Sequence, residues 1–236
     1  MNRYSPKYLL QQKKTVITAH SGCEGTPDNS REHILAAIAS GAEMIEVDVR
    51  QAPDGTLILS HDVPEDISVR VTLRELFELI EPEKNMEMNL DVKTSGLVEP
   101  VMALAKEFDL AGRILFTGEC NDDRALAVSL GAEVWHGVWP GPLAGVPQDQ
   151  LAEASARLVD GGIAALKESG SPYLNIFYRM ITEKHEQELR AIGSSFSAWT
   201  VNDEENLRRF LEMGIANITT RIPVLAMKLR KEIQGI

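Results

Sequence analysis

The sequence predicts an α/β protein, a single (β/α)₈ TIM barrel over residues 1–236. Short β-rich runs alternate with longer amphipathic runs almost to the end of the chain, and each kind occurs eight times. Neither a G-x-G-x-x-G nor a G-x-x-x-x-G-K-[ST] fingerprint is present to favour the competing doubly wound sheet. A length of 236 residues with 44% hydrophobic content suits one large core.

The elements follow in order. TVITAH at 15–20 reads as the first strand, and NSREHILAAIAS at 29–40 as the first helix, with Asn29 or Ser30 as N-cap and Gly41 beyond its end. EMIEVDV at 43–49 is the second strand. The segment 54–60, entered through Pro53-Asp54-Gly55, adds a hairpin-like strand before a helix at 72–80. MEMNLDV at 86–92, RILFT at 113–117 and AEVWH at 132–136 are the third to fifth strands, with helices at 97–108, 121–130 and 149–168. YLNIF at 173–177, FSAWTV at 196–201 and IANIT at 215–219 complete the eight, with helices at 182–192, 203–213 and 222–233. HGVWPGPLAGVPQ at 136–148 is the one Gly/Pro-rich loop.

The formal charge of −11 excludes the clustered Lys and Arg surface that nucleic acid needs, so any phosphate handled is expected to be small. Two cysteines, Cys23 and Cys120, are too few for a disulfide framework and read as reduced thiols. No signal-peptide apolar stretch and no run near the ~20 apolar residues of a membrane span are found. A soluble cytoplasmic protein without stable membrane insertion is the expectation.

Active sites of such barrels lie at the C-terminal ends of the strands, and polar residues gather there. His20 closes the first strand, Glu46 and Asp48 stand two apart near the end of the second, and Asp91 and Lys93 two apart at the end of the third; His61 and Asp62 follow in the long loop after strand two. Residues two apart share a strand face, which sets each pair toward one side. Three carboxylates brought together repel unless a cation neutralises them, and oxygen-only ligation suits Mg²⁺ or Ca²⁺. Glu46, Asp48 and Asp91 are therefore the expected metal ligands.

These residues resemble the glycerophosphodiester phosphodiesterases. That family carries a motif like HRG-x-P-E-N-T, then G-A-D-x-I-E-x-D-V, D-G-x-x-V-x-H-D, I-E-x-K, W-T-V-N and G-x-x-x-I-I-T-D-x-P. This chain reads AHSGCEGTPDNSREHILAAIASGAEMIEVDVRQAPDGTLILSHD, then NLDVK, AWTVND and GIANITTRIP, in the same order along the chain. The resemblance implies metal-dependent cleavage of small glycerophosphodiesters. It makes His20 and His61 the acid/base pair, Lys93 a phosphate ligand and Trp199 a wall of the glycerol pocket. It also implies attack by a glycerol hydroxyl on phosphorus through a cyclic phosphate.

Four positions depart from the pattern. Ser21 stands for the Arg after the first His, Asp28 for the Glu of Pro-Glu-Asn, Asp91 for the third metal Glu, and Arg221 for the Asp of Thr-Asp-x-Pro. Strand eight neighbours strand one in a closed barrel, so Arg221 is expected to reach the space left at Ser21, which places both in the substrate-binding set. The 29 residues between His61 and Asp91 hold one helix, implying a reduced insertion between strands two and three and a more open pocket. A phosphate-binding barrel with weakened catalysis, or a phosphodiesterase for another small substrate, is the alternative; the presence of both His20 and His61 favours an enzyme.

Overall fold

In the computed structural model, which describes residues 14–236, the strands are β1 (Val16–Ala19), β2 (Met44–Gln51), β3 (Leu57–Leu59), β4 (Glu87–Val92), β5 (Ile114–Gly118), β6 (Glu133–Val134), β7 (His136–Val138), β8 (Tyr173–Phe177), β9 (Ser195–Trp199) and β10 (Asn217–Thr220). The helices are α1 (Arg31–Ser40), α2 (Leu73–Ile80), α3 (Val98–Glu107), α4 (Arg124–Leu130), α5 (Leu151–Ser169), α6 (Glu183–Ala191), α7 (Glu204–Met213) and α8 (Pro223–Gln234). The expectations for residues 1–13 lie outside the described residues.

The sheet runs β6-β5-β4-β2-β1-β10-β9-β8-β7. Every pairing on this path is parallel, and β3 lies antiparallel on β2 as a hairpin. The two ends of the path, β6 and β7, flank the single residue Trp135, so the sheet curves into a nearly closed barrel. The expected fifth strand is thus one stretch that changes partner. Its first half pairs with β5, its second half pairs with β8, and the Trp135 amide donates to the Phe116 carbonyl at 3.1 Å.

Local chemistry sets the boundaries. Ser30, not Asn29, caps α1 by accepting the His33 amide, and Gly41 ends it in the left-handed region. Thr72 and Glu75 form a reciprocal capping box on α2. The strands' outer faces pack on the helices in one apolar core that includes Ile17, Ile45, Leu90, Phe116, Ile176 and Ile218. The lumen holds a separate small cluster of Val16, Met44, Leu115, Trp135, Tyr173 and Ala216. Cys23 and Cys120 are buried free thiols, and burial pushes Cys23 up to about 11. Among the described residues no helix is long and apolar enough to cross a membrane.

Candidate active site

β2 alternates between core and lumen, which brings Glu46 and Asp48 onto one face. β4 pairs with it in register, Glu46 opposite Asn89 and Asp48 opposite Asp91. One carboxylate oxygen from each of Glu46, Asp48 and Asp91 lies within 4.8 Å of the others. Glu46 is 4% and Asp48 5% exposed, so water does little to screen their repulsion.

Lys93 partly balances the group. Its Nζ lies 2.7 Å from Asp48 Oδ1 and 2.7 Å from Asp91 Oδ2. Burial opposes its charge, but the two carboxylates outweigh burial and raise its pKa. Burial also acts on each acid. It pushes Glu46 well up, helped by the charges of Asp48 and Asp91, and pushes Asp91 up against the attraction of Lys93. At Asp48 the upward push of burial is overcome by Lys93 and by hydrogen bonds from Lys93 and Asn29, so this carboxyl sits below its usual range. Lys93 and Asn29 together satisfy Asp48, while among the described residues Asp91 has a direct partner in Lys93 alone. Three carboxylates against one ammonium leave two negative charges, the complement of a divalent cation. Opposite oxygen ligands of Mg²⁺ or Ca²⁺ stand about 4–5 Å apart, so the span of the donor set also fits.

His20 follows β1, its amide donating to the Thr220 carbonyl at 2.8 Å. Its Nδ1 lies 2.8 Å from the Ser21 carbonyl, which accepts only if Nδ1 carries the proton; Nε2, 3.8 Å from Glu46 Oε2, is then the basic nitrogen. Burial pulls its pKa down, partly opposed by that carbonyl. His61 is the open counterpart, 66% exposed on the loop after β3, with Nδ1 2.9 Å from Asp62 Oδ1.

Trp199 ends β9 opposite Phe177 in the register, with ring centroids 5.7 Å apart. The Trp199 indole Nε1–H is buried with no hydrogen-bond partner among the described residues. Arg221 follows β10 and leans over the first loop, where Nη2 lies 3.0 and 3.2 Å from the two oxygens of Asp28. Two of the departures from the family pattern are thus each other's partners. They meet over Gly22, at φ 76°, where an added Cβ would stand 2.1 Å from Asp28 Oδ1. Ser21 is 1% exposed and its hydroxyl accepts the Asn29 amide at 2.8 Å, so its side chain supports the loop and offers no open surface to a substrate.

Two contributors have partners that the sequence pattern does not reveal. Asn29 donates Nδ2–H to Asp48 Oδ2 at 2.7 Å, although it looks like a helix cap. Gly118, at φ 88°, leaves room for Asp91: a Cβ there would stand 2.2 Å from Asp91 Oδ1 and 2.3 Å from the Val92 carbonyl oxygen. A glycine following a strand was the available signal, but nothing local points to residue 91.

Together these residues define a class, a parallel β/α barrel with an acidic cation-type site and two histidines at its C-terminal mouth. Comparison with known proteins narrows it. Residues 20–108 match the model of the Glycerophosphoryl diester phosphodiesterase family, and this segment carries His20, Glu46, Asp48, His61, Asp91 and Lys93. A glycerophosphodiester phosphodiesterase of Bacillus altitudinis is 24% identical over 259 residues, covering 93% of this chain and 100% of the relative. One from Caldanaerobacter subterraneus is 22% identical, covering 92% and 98%. A putative glycerophosphoryl diester phosphodiesterase from Agrobacterium tumefaciens has the same fold, with TM-score 0.77, 19% identity and coverage of 94% of this chain and 100% of that one. An Oleispira antarctica phosphodiesterase, solved with the product sn-glycerol-3-phosphate, superposes with TM-score 0.69 at 19% identity, covering 92% and 96%.

Proposed function

We propose that this chain is a phosphoric diester hydrolase, a single barrel domain that cleaves small glycerophosphodiesters to glycerol phosphate and an alcohol. The observation that carries the reading is the group of buried Glu46 and Asp48 with half-buried Asp91 beside His20, in the segment that matches the family model. The name of the Bacillus altitudinis relative and the product bound to the Oleispira antarctica enzyme support the substrate class. The two buried free thiols support a cytoplasmic setting.

Glu46, Asp48 and Asp91 would hold the divalent cation, Mg²⁺ or Ca²⁺, which supplies positive charge to the phosphodiester and to the charge that builds on its oxygens. The chain's own residues do the remaining work. His20, kept neutral by burial and with Nδ1–H committed to the Ser21 carbonyl, takes the proton of the attacking hydroxyl on Nε2. His61, accessible at the mouth and oriented by Asp62, gives a proton to the departing alkoxide. A glycerol hydroxyl as nucleophile gives a cyclic phosphate, which water then opens with the two histidines exchanging roles. Lys93 and Arg221 bind phosphate oxygens, and the Trp199–Phe177 pair walls the glycerol carbons.

The test is a release assay over several glycerophosphodiesters, with added Mg²⁺ or Ca²⁺ and after chelation. Cation-dependent release of glycerol phosphate is expected. Binding of these compounds without turnover would instead establish a phosphate-binding barrel.

A further inference from the structure

The loop between β1 and α1 grips the acidic group from behind. Asn29 is 5% exposed at φ 55°, and its side chain clasps one residue at two points. Nδ2–H donates to Asp48 Oδ2 at 2.7 Å, and Oδ1 accepts the Asp48 amide at 3.0 Å. The Asn29 amide donates to Ser21 Oγ at 2.8 Å, and the Ser21 amide donates to Glu46 Oε2 at 3.0 Å. A continuous hydrogen-bonded chain therefore runs from Glu46 through Ser21 and Asn29 to Asp48.

Two buried carboxylates on one strand face repel, and each can relieve the repulsion by rotating away from its neighbour. A donor fixed on one oxygen of each removes that freedom and stabilises the ionised form. Both donors belong to one short loop, which couples the orientations of the two acids. We propose that Ser21 and Asn29 are positioning residues, which hold Glu46 and Asp48 in the orientation that binds the cation. The inference rests on the reading that these carboxylates are cation ligands. It gives the departure at Ser21 a purpose, because the loop needs an acceptor for the Asn29 amide and a guanidinium has none.

The experiment measures Mg²⁺ and Ca²⁺ affinity by calorimetry on the full chain, without substrate, for wild type, Asn29→Gly, Ser21→Ala and Ser21→Thr. Glycine adopts the left-handed backbone of residue 29 without strain, so Asn29→Gly removes the amide alone. Asn29→Gly and Ser21→Ala should each weaken cation binding by about 10- to 100-fold, the usual loss when the partner of a metal ligand is removed. Ser21→Thr keeps the hydroxyl and should retain most of the affinity. Melting temperatures in chelator separate the alternatives, since a purely structural role would lower them and leave affinity unchanged. Wild-type affinity in both Asn29→Gly and Ser21→Ala would overturn the inference. A wild-type chain that binds neither cation would overturn the cation reading itself, and the positioning role with it.

Discussion

At the base of the barrel lumen Val16, Met44, Leu115, Trp135, Tyr173 and Ala216 form a buried apolar cluster, with Trp135 and Tyr173 in edge-to-face contact at 5.2 Å. Follow the same strands toward the mouth in steps of two and the chemistry changes. Val16 gives way to Thr18 and His20, Met44 to Glu46 and Asp48, and Leu115 to Thr117 and Glu119. The layer between is largely neutral and hydrogen-bonded: Thr18 donates to Asn217, Asn217 to Ser197, Ser197 to Asn175, and Thr117 to Asn89. The base contributes stability by removing apolar surface from water, while the mouth gathers like charges at a cost to stability. The neutral layer lets both share one lumen without setting ionised groups against the apolar cluster. Substitutions at the two ends should therefore have opposite signatures.

The largest effect is expected at the mouth. His20→Ala should lower kcat by about 10²- to 10⁴-fold, the usual contribution of a general acid or base, while the melting temperature stays near wild type. A variant that keeps wild-type turnover would remove His20 from the mechanism. At the base the pattern should invert. Trp135→Ala should cost about 3–5 kcal/mol in chemical denaturation, with kcat per folded molecule little changed. A loss of turnover without a loss of stability there would break the comparison.

His33, on the helix behind β2, sharpens it through pH. Its Nε2 lies 3.1 Å from the Glu46 carbonyl and burial holds its pKa down at about 4, below the ordinary value near 6.5. Between those values the unfolded chain binds the proton that the folded chain refuses. This contribution to stability is therefore full above about pH 6.5 and is lost as pH falls toward 4, about 3 kcal/mol in all. Denaturation midpoints measured across this range should fall less steeply for His33→Gln, and identical slopes would assign the acid sensitivity elsewhere. The smallest effect belongs to the rim. Arg221→Ala should lower kcat/KM by roughly 10- to 150-fold, equivalent to about 1.5–3 kcal/mol for a hydrogen bond to a charged group. An unchanged value would leave the guanidinium only its contact with Asp28.

Much of this architecture was legible from local pattern. Period-two alternation marks the strands, while residues such as Thr72 and Gly41 mark helix ends, because both signals act within a few residues. The same alternation put Glu46 with Asp48 and Asp91 with Lys93. What it could not give was contact across the sequence. Lys93 shared between Asp48 and Asp91 depends on the β2–β4 register, and Gly118 is shaped by a side chain on the neighbouring strand. Asn29 looks like a helix cap because its partner lies nineteen residues away. Closure of the barrel sets Arg221 over the first loop, where its partner is Asp28. The exchange Ser21→Arg with Arg221→Asp, which would rebuild the family pattern, would also take the acceptor from Asn29.

The central claim is that Glu46, Asp48 and Asp91 hold a divalent cation at the barrel mouth. Crystals soaked in Mn²⁺, an anomalous scatterer that accepts the same oxygen donors as Mg²⁺, test it most directly. The account predicts an anomalous peak about 2.0–2.6 Å from carboxylate oxygens of these three residues, absent from Glu46→Gln crystals soaked in the same way. A peak elsewhere with none at these residues, or no peak at saturating Mn²⁺, would contradict it.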